Sequence, residues 1–185
     1  MLKKIRYNAP VVLTFTFLSL LALILNEITY GYTNSLLFSV YRSSWEDPLT
    51  YVRLFTHVLG HANWQHFINN FMFILLIGPI LEEKYGGKAL VGMILLTAFV
   101  TGIINMIFFT TGLLGASGIV FMFILLASFV NTKQRTIPLT FILVAVLYIG
   151  NEVLNGLFSR DQVSQLTHII GGICGSSLGY YLNKK

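Results

Sequence analysis

Charged side chains are scarce in this chain: Asp, Glu, Lys and Arg together account for 10% of its 185 residues. A soluble domain carries about 25% charged residues, so the shortfall excludes an ordinary water-exposed surface. The hydrophobic content of 55% and the mean hydropathy of +0.75 agree with that exclusion. Cysteine is nearly absent, since Cys174 stands alone. The chain therefore has no internal disulfide framework and no cysteine pair for a zinc site.

Long stretches without any charged residue take the place of a polar surface. They cover residues 7–26, 54–81, 89–132, 136–151 and 162–183. A membrane-spanning helix needs about 20 apolar residues, and stretch 89–132 is long enough for two, divided by a turn-prone segment. The sequence therefore predicts an all-α membrane protein, a bundle that forms a single domain over residues 1–185. Its six spans are expected at roughly 10–29, 65–81, 89–109, 117–131, 137–154 and 166–182.

The start of the chain has a basic region ahead of its first apolar run, which could also be a signal peptide. No clear small-residue cleavage site follows, and five further spans do. We therefore expect an uncleaved first span.

The distribution of positive charge predicts an orientation. With the N-terminus inside, nine cations lie on inner segments and three on outer segments, namely Arg42, Arg53 and Arg160. This asymmetry predicts cytoplasmic N- and C-termini and contact between the inner face and anionic lipid of the bilayer. We expect the inner membrane of a bacterial cell as the location. Nucleic acid is not an expected partner, because no cluster exceeds three cations.

The fourth span is short. From Ser117 to Asn131 it has 15 residues, or about 22 Å at 1.5 Å per residue, whereas the hydrocarbon core is about 30 Å thick. With Asn131 at the inner surface, Ser117 lies below the outer surface, and segment 112–116 must enter the membrane. Irregular backbone is tolerated there only inside protein or beside a water-filled cavity. The length of this span predicts a sunken, hydrated site that opens outward.

Polar residues gather at the depth of this site. All four histidines and Ser117 fall near the outer ends of the predicted spans, and polar groups inside a membrane indicate function. His66 and Asn70 are four residues apart and share a face of the second span. We expect His57 and His61 to be structural, with His61 orienting the loop or the groups around the site.

The last span carries His168 on the same face as a stripe of small residues. Such a stripe lets a neighbouring helix approach closely, and we expect that neighbour to be the fourth span. His168 would then come within reach of Ser117. The stripe consists of Gly171, Gly175 and Gly179.

Three blocks of this sequence resemble motifs of the rhomboid family of intramembrane serine proteases. Residues 115–118 read Gly-Ala-Ser-Gly at a helix start and match the family's GxSG motif. Residues 61–70 match its HxxxxHxxxN pattern, and residues 168–175 match its HxxG pattern with a following glycine. The blocks stand in order on the second, fourth and sixth of six spans. The resemblance covers roughly residues 50–182 and implies the six-helix rhomboid bundle.

The resemblance implies a serine endopeptidase that hydrolyses peptide bonds in or near transmembrane segments. A serine hydroxyl needs an adjacent base, and a neutral imidazole suits that role near pH 7, so Ser117 and His168 would form a catalytic dyad without an acidic third member. By resemblance, His66 and Asn70 would stabilise the oxyanion together with the Ser117 N–H. No metal or other cofactor is expected. The supporting residues would be His61, Gly115, Gly118, Phe121, Gly171 and Gly175.

The expected substrates are single-span membrane proteins with Gly, Pro or polar residues near the outer end of the span. A helix must unwind before attack, and unwinding in hydrocarbon leaves backbone groups unsatisfied at several kcal/mol each. The resemblance adds a small residue, such as Ala, before the cut. We expect the substrate to enter past the fifth span, residues 137–154.

The chain departs from the family pattern at three places. Phe121 stands where the family often has a tyrosine that stacks on the catalytic histidine. Val52 replaces the tryptophan of a Trp-Arg pair, which bears on the membrane contact of the first loop. Thr167 replaces a frequent alanine. None of these departures removes a catalytic group.

Two other functions remain open on the sequence. One is an inactive rhomboid-like protein that binds transmembrane helices without cutting them. The other is a metal transporter or metalloprotease that uses His57, His61 and His66. No HExxH motif accompanies those histidines, and Glu82 lies at the opposite end of its helix. We expect Glu82 to cap or anchor the inner loop.

Overall fold

The computed structural model describes residues 6–130, 139–140, 142–143, 146–147 and 162–182, with the backbone alone for 162–168 and 179–180. Within these ranges the regular elements are helical and comprise six α-helices and one π-helical turn, Asn34–Phe38. The described pairs between 139 and 147 are also helical, and the rest of the predicted fifth span lies outside the described residues. The helices are α1 (Pro10–Ile28), α2 (Pro48–Thr56), α3 (Trp64–Tyr85), α4 (Gly87–Phe108), α5 (Ser117–Ala127) and α6 (Gln162–Leu182).

Three of the described helices, α1, α3 and α4, are long and apolar enough to cross a membrane. Each overlaps one of the first three predicted spans, and the described residues are all-α, as the sequence predicts. Helix α5 ends at Ala127, earlier than the predicted fourth span. The chain continues to Val130 in tighter turns, because Ser128, Phe129 and Val130 each bond to the carbonyl three residues back.

A carboxylate joins the start of α1 to the end of α3. Glu82 accepts hydrogen bonds from the N–H groups of Val11 and Val12, each at 3.0 Å. These are N–H groups that a helix start otherwise leaves without a partner. Nearby, Gly78 permits close packing, since a β-carbon there would lie 2.7 Å from Cγ2 of Val12. Glu82 therefore caps α1, in agreement with the anchoring role expected from the sequence.

The segment between α1 and α3 contains α2, a helix that the sequence analysis did not predict. Asp47 is its N-cap and accepts a hydrogen bond from the Leu49 N–H at 3.0 Å. That bond is the main reason why the pKa of Asp47 is lowered. Asp47 also pairs with Arg53 at 3.0 Å. Arg53 is 4% exposed and donates to the Leu36 carbonyl at 2.8 Å, so it ties α2 to the π-helical turn.

Candidate active site

Ser117 begins α5, directly after the irregular segment 109–116. Gly115 in that segment has φ +119°, a conformation that glycine adopts without the steric cost met by other residues. Its N–H donates to the carbonyl of His57 at 2.9 Å. Ser117 itself is half-buried. The serine thus stands at a helix N-terminus, where backbone N–H groups have no partner within the helix.

The irregular segment is paired with the loop that follows the π-helical turn and precedes α2. Val40 and Leu113 exchange two backbone hydrogen bonds, at 2.9 and 2.8 Å. Asn105 of α4 supports both chains, because its amide donates to the carbonyl of Val40 at 3.0 Å and to that of Thr111 at 3.1 Å. The sequence analysis did not single out Asn105. The signal available was a lone amide inside a predicted span, since such polar groups require partners.

Helix α6 approaches α5 main chain to main chain. A β-carbon on Gly171 would overlap the carbonyl oxygen of Gly118 and lie 2.8 Å from its carbonyl carbon. A β-carbon on Gly175 would meet the backbone of Met122 in the same way, 2.9 Å from its Cα. Both pairs advance by four residues along both helices, so the helices run parallel. The close packing predicted from the glycine spacing is therefore confirmed.

His168 belongs to α6, three residues before Gly171, and its side chain lies outside the described part of the structure. On the α5 side, the corresponding position three residues before Gly118 is Gly115. Because the two helices run parallel and Gly171 contacts Gly118, the backbone of His168 lies beside the start of α5. Helix α6 thus carries His168 to the end of α5 at which Ser117 stands.

The imidazole of His66 rests against the backbone just before Ser117. A β-carbon on Gly115 would lie 2.6 Å from Cε1 and 2.7 Å from Nε2 of His66. Asn63 caps α3 by accepting the His66 N–H at 2.9 Å, which fixes the first turn that holds this ring. Helix α3 therefore presents a ring nitrogen to the Gly115 backbone.

Asn70 lies one turn beyond His66 on α3 and is 6% exposed. Its Nδ2 has no hydrogen-bond partner among the described residues. A buried polar group without a partner costs about 1–3 kcal/mol. Such a group is retained most readily where it serves a ligand, so the Asn70 amide is a candidate donor.

His61 packs beside His66, with ring centroids 5.0 Å apart in an edge-on arrangement. Its Nδ1 lies 3.1 Å from the Leu59 carbonyl, so Nδ1 carries the proton in the neutral ring. Burial, assisted by the nearby His66, lowers the pKa of His61 to about 4. Asn34 donates to the His61 carbonyl at 2.9 Å. His61 is therefore neutral near pH 7, and both its ring and its backbone carbonyl have a hydrogen-bond partner.

His57 is also enclosed by protein. Its Nδ1 lies 3.1 Å from the Arg53 carbonyl and its Nε2 lies 3.3 Å from Oγ1 of Thr101. Burial lowers the pKa of His57 to about 4. With both ring nitrogens near these partners, the side chain joins α2 to α4. In the part of the chain that the structure describes, no group of three or more His, Cys, Asp or Glu could hold a metal ion.

The positions at which the chain departs from the family pattern are Phe121, Val52 and Thr167. Phe121 is half-buried, one turn after Ser117 in α5. On α2, Val52 is exposed whereas the neighbouring Arg53 is buried. The Thr167 side chain lies outside the described residues.

Comparison with known proteins identifies the family of this chain. The sequence model of the Rhomboid domain matches residues 48–185, a range that starts at the first residue of α2. Rhomboid-related protein 2 of the mouse is 29% identical over 158 residues, which cover 73% of this chain and 52% of the mouse protein. The chain thus spans about half the length of that curated relative. Since the domain match covers more than half of the chain, and since three described helices have membrane length, the chain is an integral membrane protein of the rhomboid family.

Proposed function

We propose that this chain is an intramembrane serine endopeptidase that cleaves membrane proteins in or near their transmembrane segments, with Ser117 and His168 as its catalytic dyad. The observation that carries the proposal is the contact of Gly171 with Gly118. It joins the helix that begins at Ser117 to the helix that carries His168, at the end where both residues are located.

In this mechanism, Oγ of Ser117 attacks the carbonyl carbon of the scissile bond while neutral His168 accepts the hydroxyl proton. The tetrahedral intermediate collapses, and His168 returns the proton to the leaving amine. A water molecule then attacks the acyl-enzyme, again with His168 as the base, and releases the second product. The reaction needs no cofactor, because neither acylation nor deacylation changes an oxidation state.

The negative oxygen of the intermediate requires donors that are in place before the reaction. The Ser117 N–H at the α5 N-terminus is one, and the helix dipole favours negative charge there. The ring of His66 against Gly115 and the buried Nδ2 of Asn70, which has no hydrogen-bond partner among the described residues, support these two side chains as further donors. His61 would hold His66 in place.

The proposed substrates are single-span membrane proteins whose spans unwind readily near the outer end. The irregular segment before Ser117 supports this choice, because a partly unfolded substrate needs a polar, hydrated site inside the membrane. The proposal extends to the remaining sequence expectations: one domain over 1–185, cytoplasmic termini, a bacterial inner membrane, and substrate entry past residues 137–154.

Incubation of the purified protein in vesicles with a single-span substrate that carries Ala before the cut tests this function. Wild type should cleave, and a fluorophosphonate should label it. Ser117→Ala and His168→Ala should abolish cleavage and retain a folded protein. Ser128→Ala is the matched control, because among the described residues its hydroxyl bonds to the Ile124 carbonyl, one turn earlier in the chain; this variant should keep wild-type activity.

The same assay separates the other two candidate functions. Binding of the substrate by wild type without any cleavage would identify an inactive, helix-binding member of the family. Loss of cleavage on addition of EDTA, or cleavage that survives Ser117→Ala, would show that the serine mechanism is wrong.

A further inference from the structure

An apolar cavity of about 440 Å³ lies between α1, the end of α2 and α4, away from Ser117. Its α1 wall runs from Pro10 to Leu18, about 12 Å along the helix axis, and its α4 wall runs from Val91 to Leu95. The cavity therefore begins near the end of the bundle where α1 and α4 start. It reaches along both helices to Phe55, Thr56, Val58 and Leu59 at the end of α2 and in the loop after it.

The lining selects the kind of molecule that fits. Apart from the hydroxyls of Thr14 and Thr56, the side chains in the walls are apolar. A polar ligand would lose its hydrogen bonds to water without replacement, whereas an apolar chain would gain dispersion contacts along the whole wall. The volume falls in the range of about 300–1,000 Å³ typical of small-molecule sites. In a bilayer, the apolar chain available to fill such a cavity is the acyl chain of a lipid.

Charge at the end of the bundle where the cavity begins favours an anionic headgroup. Arg6, Lys84 and Lys88 are exposed at the end of the bundle where α1 and α4 begin. The carboxylates there are Glu82, which is already bonded to the start of α1, and the exposed Glu83. The cations outnumber the free carboxylate, which is the balance that a phosphate headgroup needs.

We propose that this cavity binds one acyl chain of an anionic phospholipid and that the bound lipid stabilises the candidate active site. Binding of the lipid does not depend on the protease function, whereas its effect on activity rests on that proposed function.

The backbone path from the cavity to the site is short. Leu59 lines the cavity, and its carbonyl lies 3.1 Å from Nδ1 of His61, the ring that packs on His66. Thr56 and Val58 also line it, and they flank His57, whose carbonyl accepts the Gly115 N–H at 2.9 Å. An acyl chain against these residues would brace both connections at once.

Two pairs of variants test the cavity. Leu95 lines it and Leu96 does not, although both are 45% exposed, so Leu95→Trp should fill the space and Leu96→Trp should not. On the opposite wall, Leu18→Trp is paired with Leu21→Trp, whose side chain is outside the cavity. The delipidated protein in detergent is titrated with phosphatidylglycerol, and bound lipid is counted by native mass spectrometry alongside the Tm.

Wild type and the two control variants should retain one phosphatidylglycerol per chain, with a higher Tm, and phosphatidylcholine of the same chain length should bind less. Both lining variants should bind phosphatidylglycerol at least about tenfold more weakly, a loss of about 1.4 kcal/mol. Phosphatidylglycerol should raise cleavage by wild type and leave Leu95→Trp unaffected.

Equal lipid retention by the lining and control variants would overturn the site and assign the lipid to the general surface. Equal retention of the two lipids would overturn the choice of an anionic headgroup. Lipid-independent cleavage by wild type would overturn the effect on the active site. A protein that binds the lipid in this pattern and cleaves nothing would contradict the proposed protease function alone.

Discussion

The main chains of Gly171 and Gly118 touch, so that a β-carbon on Gly171 would lie 2.8 Å from the carbonyl carbon of Gly118. Glycines at helix contacts in membranes allow this approach, which depends on van der Waals packing and is not driven by the hydrophobic effect. Because α5 begins at Ser117 and α6 carries His168, this contact sets how far apart the two helices stand.

We predict that Gly171→Ala separates the two helices, whereas Gly172→Ala is tolerated better. The methyl group of Gly171→Ala would meet backbone, which cannot yield, and such overpacking costs about 1–3 kcal/mol. Among the described residues, a β-carbon on Gly172 would meet the end of the Leu125 side chain, at 2.9 Å, and that side chain can move. Thermal unfolding in detergent and cleavage rates measure both effects. Equal tolerance of the two substitutions would show that the contact is unimportant.

We predict that Gly115→Ala lowers turnover sharply. At φ +119° an alanine is strained, and its methyl group would displace the His66 ring. The control is Gly92→Ala in α4, where a β-carbon would meet nothing within 4 Å and where alanine should leave activity unchanged. Steady-state kinetics in the vesicle assay measure the turnover of both variants. Full activity of Gly115→Ala would remove His66 from the proposed oxyanion site.

Asn70→Ala should lower kcat by about 10²–10³ with little change in KM, because an oxyanion donor acts mainly in the transition state. The neighbouring amide supplies the control. Asn69 is exposed and bonds to Gln65 at 2.7 Å, so Asn69→Ala should keep kcat near that of wild type. A rise in KM with unchanged kcat would assign Asn70 to substrate binding instead.

We predict that acid destabilises the protein between pH 6.5 and pH 4. The pKa values of His57 and His61 are lowered from 6.5 to about 4 in the folded state, so in this window the unfolded chain binds protons that the folded chain does not. The free energy of unfolding should therefore fall as the pH drops, by about 1.4 kcal/mol per pH unit for each histidine, and these two histidines should contribute no slope above pH 6.5. Denaturation in micelles at several pH values measures the slope.

The matched variant for the pH dependence is His61→Phe. It places a third aromatic ring beside Phe67 and Phe71, whose rings lie 5.4 and 5.6 Å from that of His61, and it removes one titrating group. The slope between pH 4 and 6.5 should fall by about half. An unchanged slope would show that His61 is not the source.

Charge-free runs locate the long helices well and short helices poorly. The predicted first span, 10–29, corresponds to α1 at Pro10–Ile28, because lipid selects long apolar segments by length. Helix α2 escaped that criterion since it is only 9 residues long and contains Arg53, which is buried only through its tertiary partners. Its start could have been found, because Asp47 followed by Pro48 is a helix N-terminus signal.

The sequence also indicated which residue types gather near the end of the bundle where α5 begins, but the contacts between these residues depend on the fold. The four-residue spacing of His66 and Asn70 follows from helix periodicity. The contact of His66 with Gly115, and the positive φ of that glycine, result from how α3 meets a segment about 50 residues away. No periodicity carries that information, just as none marks Asn105 as the link between two loops.

The cap that Glu82 places on Val11 has a consequence for biosynthesis. The two residues are 71 positions apart, so at roughly 5–20 residues per second the ribosome adds Glu82 about 4–14 s after Val11. During that interval the first turn of α1 has no carboxylate partner. Helix α1 must therefore insert by means of its own charge-free stretch, residues 7–26. Its final packing against α3 can form only after the end of α3 has been synthesised. A variant such as Glu82→Leu should accordingly leave a chain in which α1 inserts normally but stays detached from α3, which a protease added to nascent-chain complexes on the side of the membrane where α1 begins would detect.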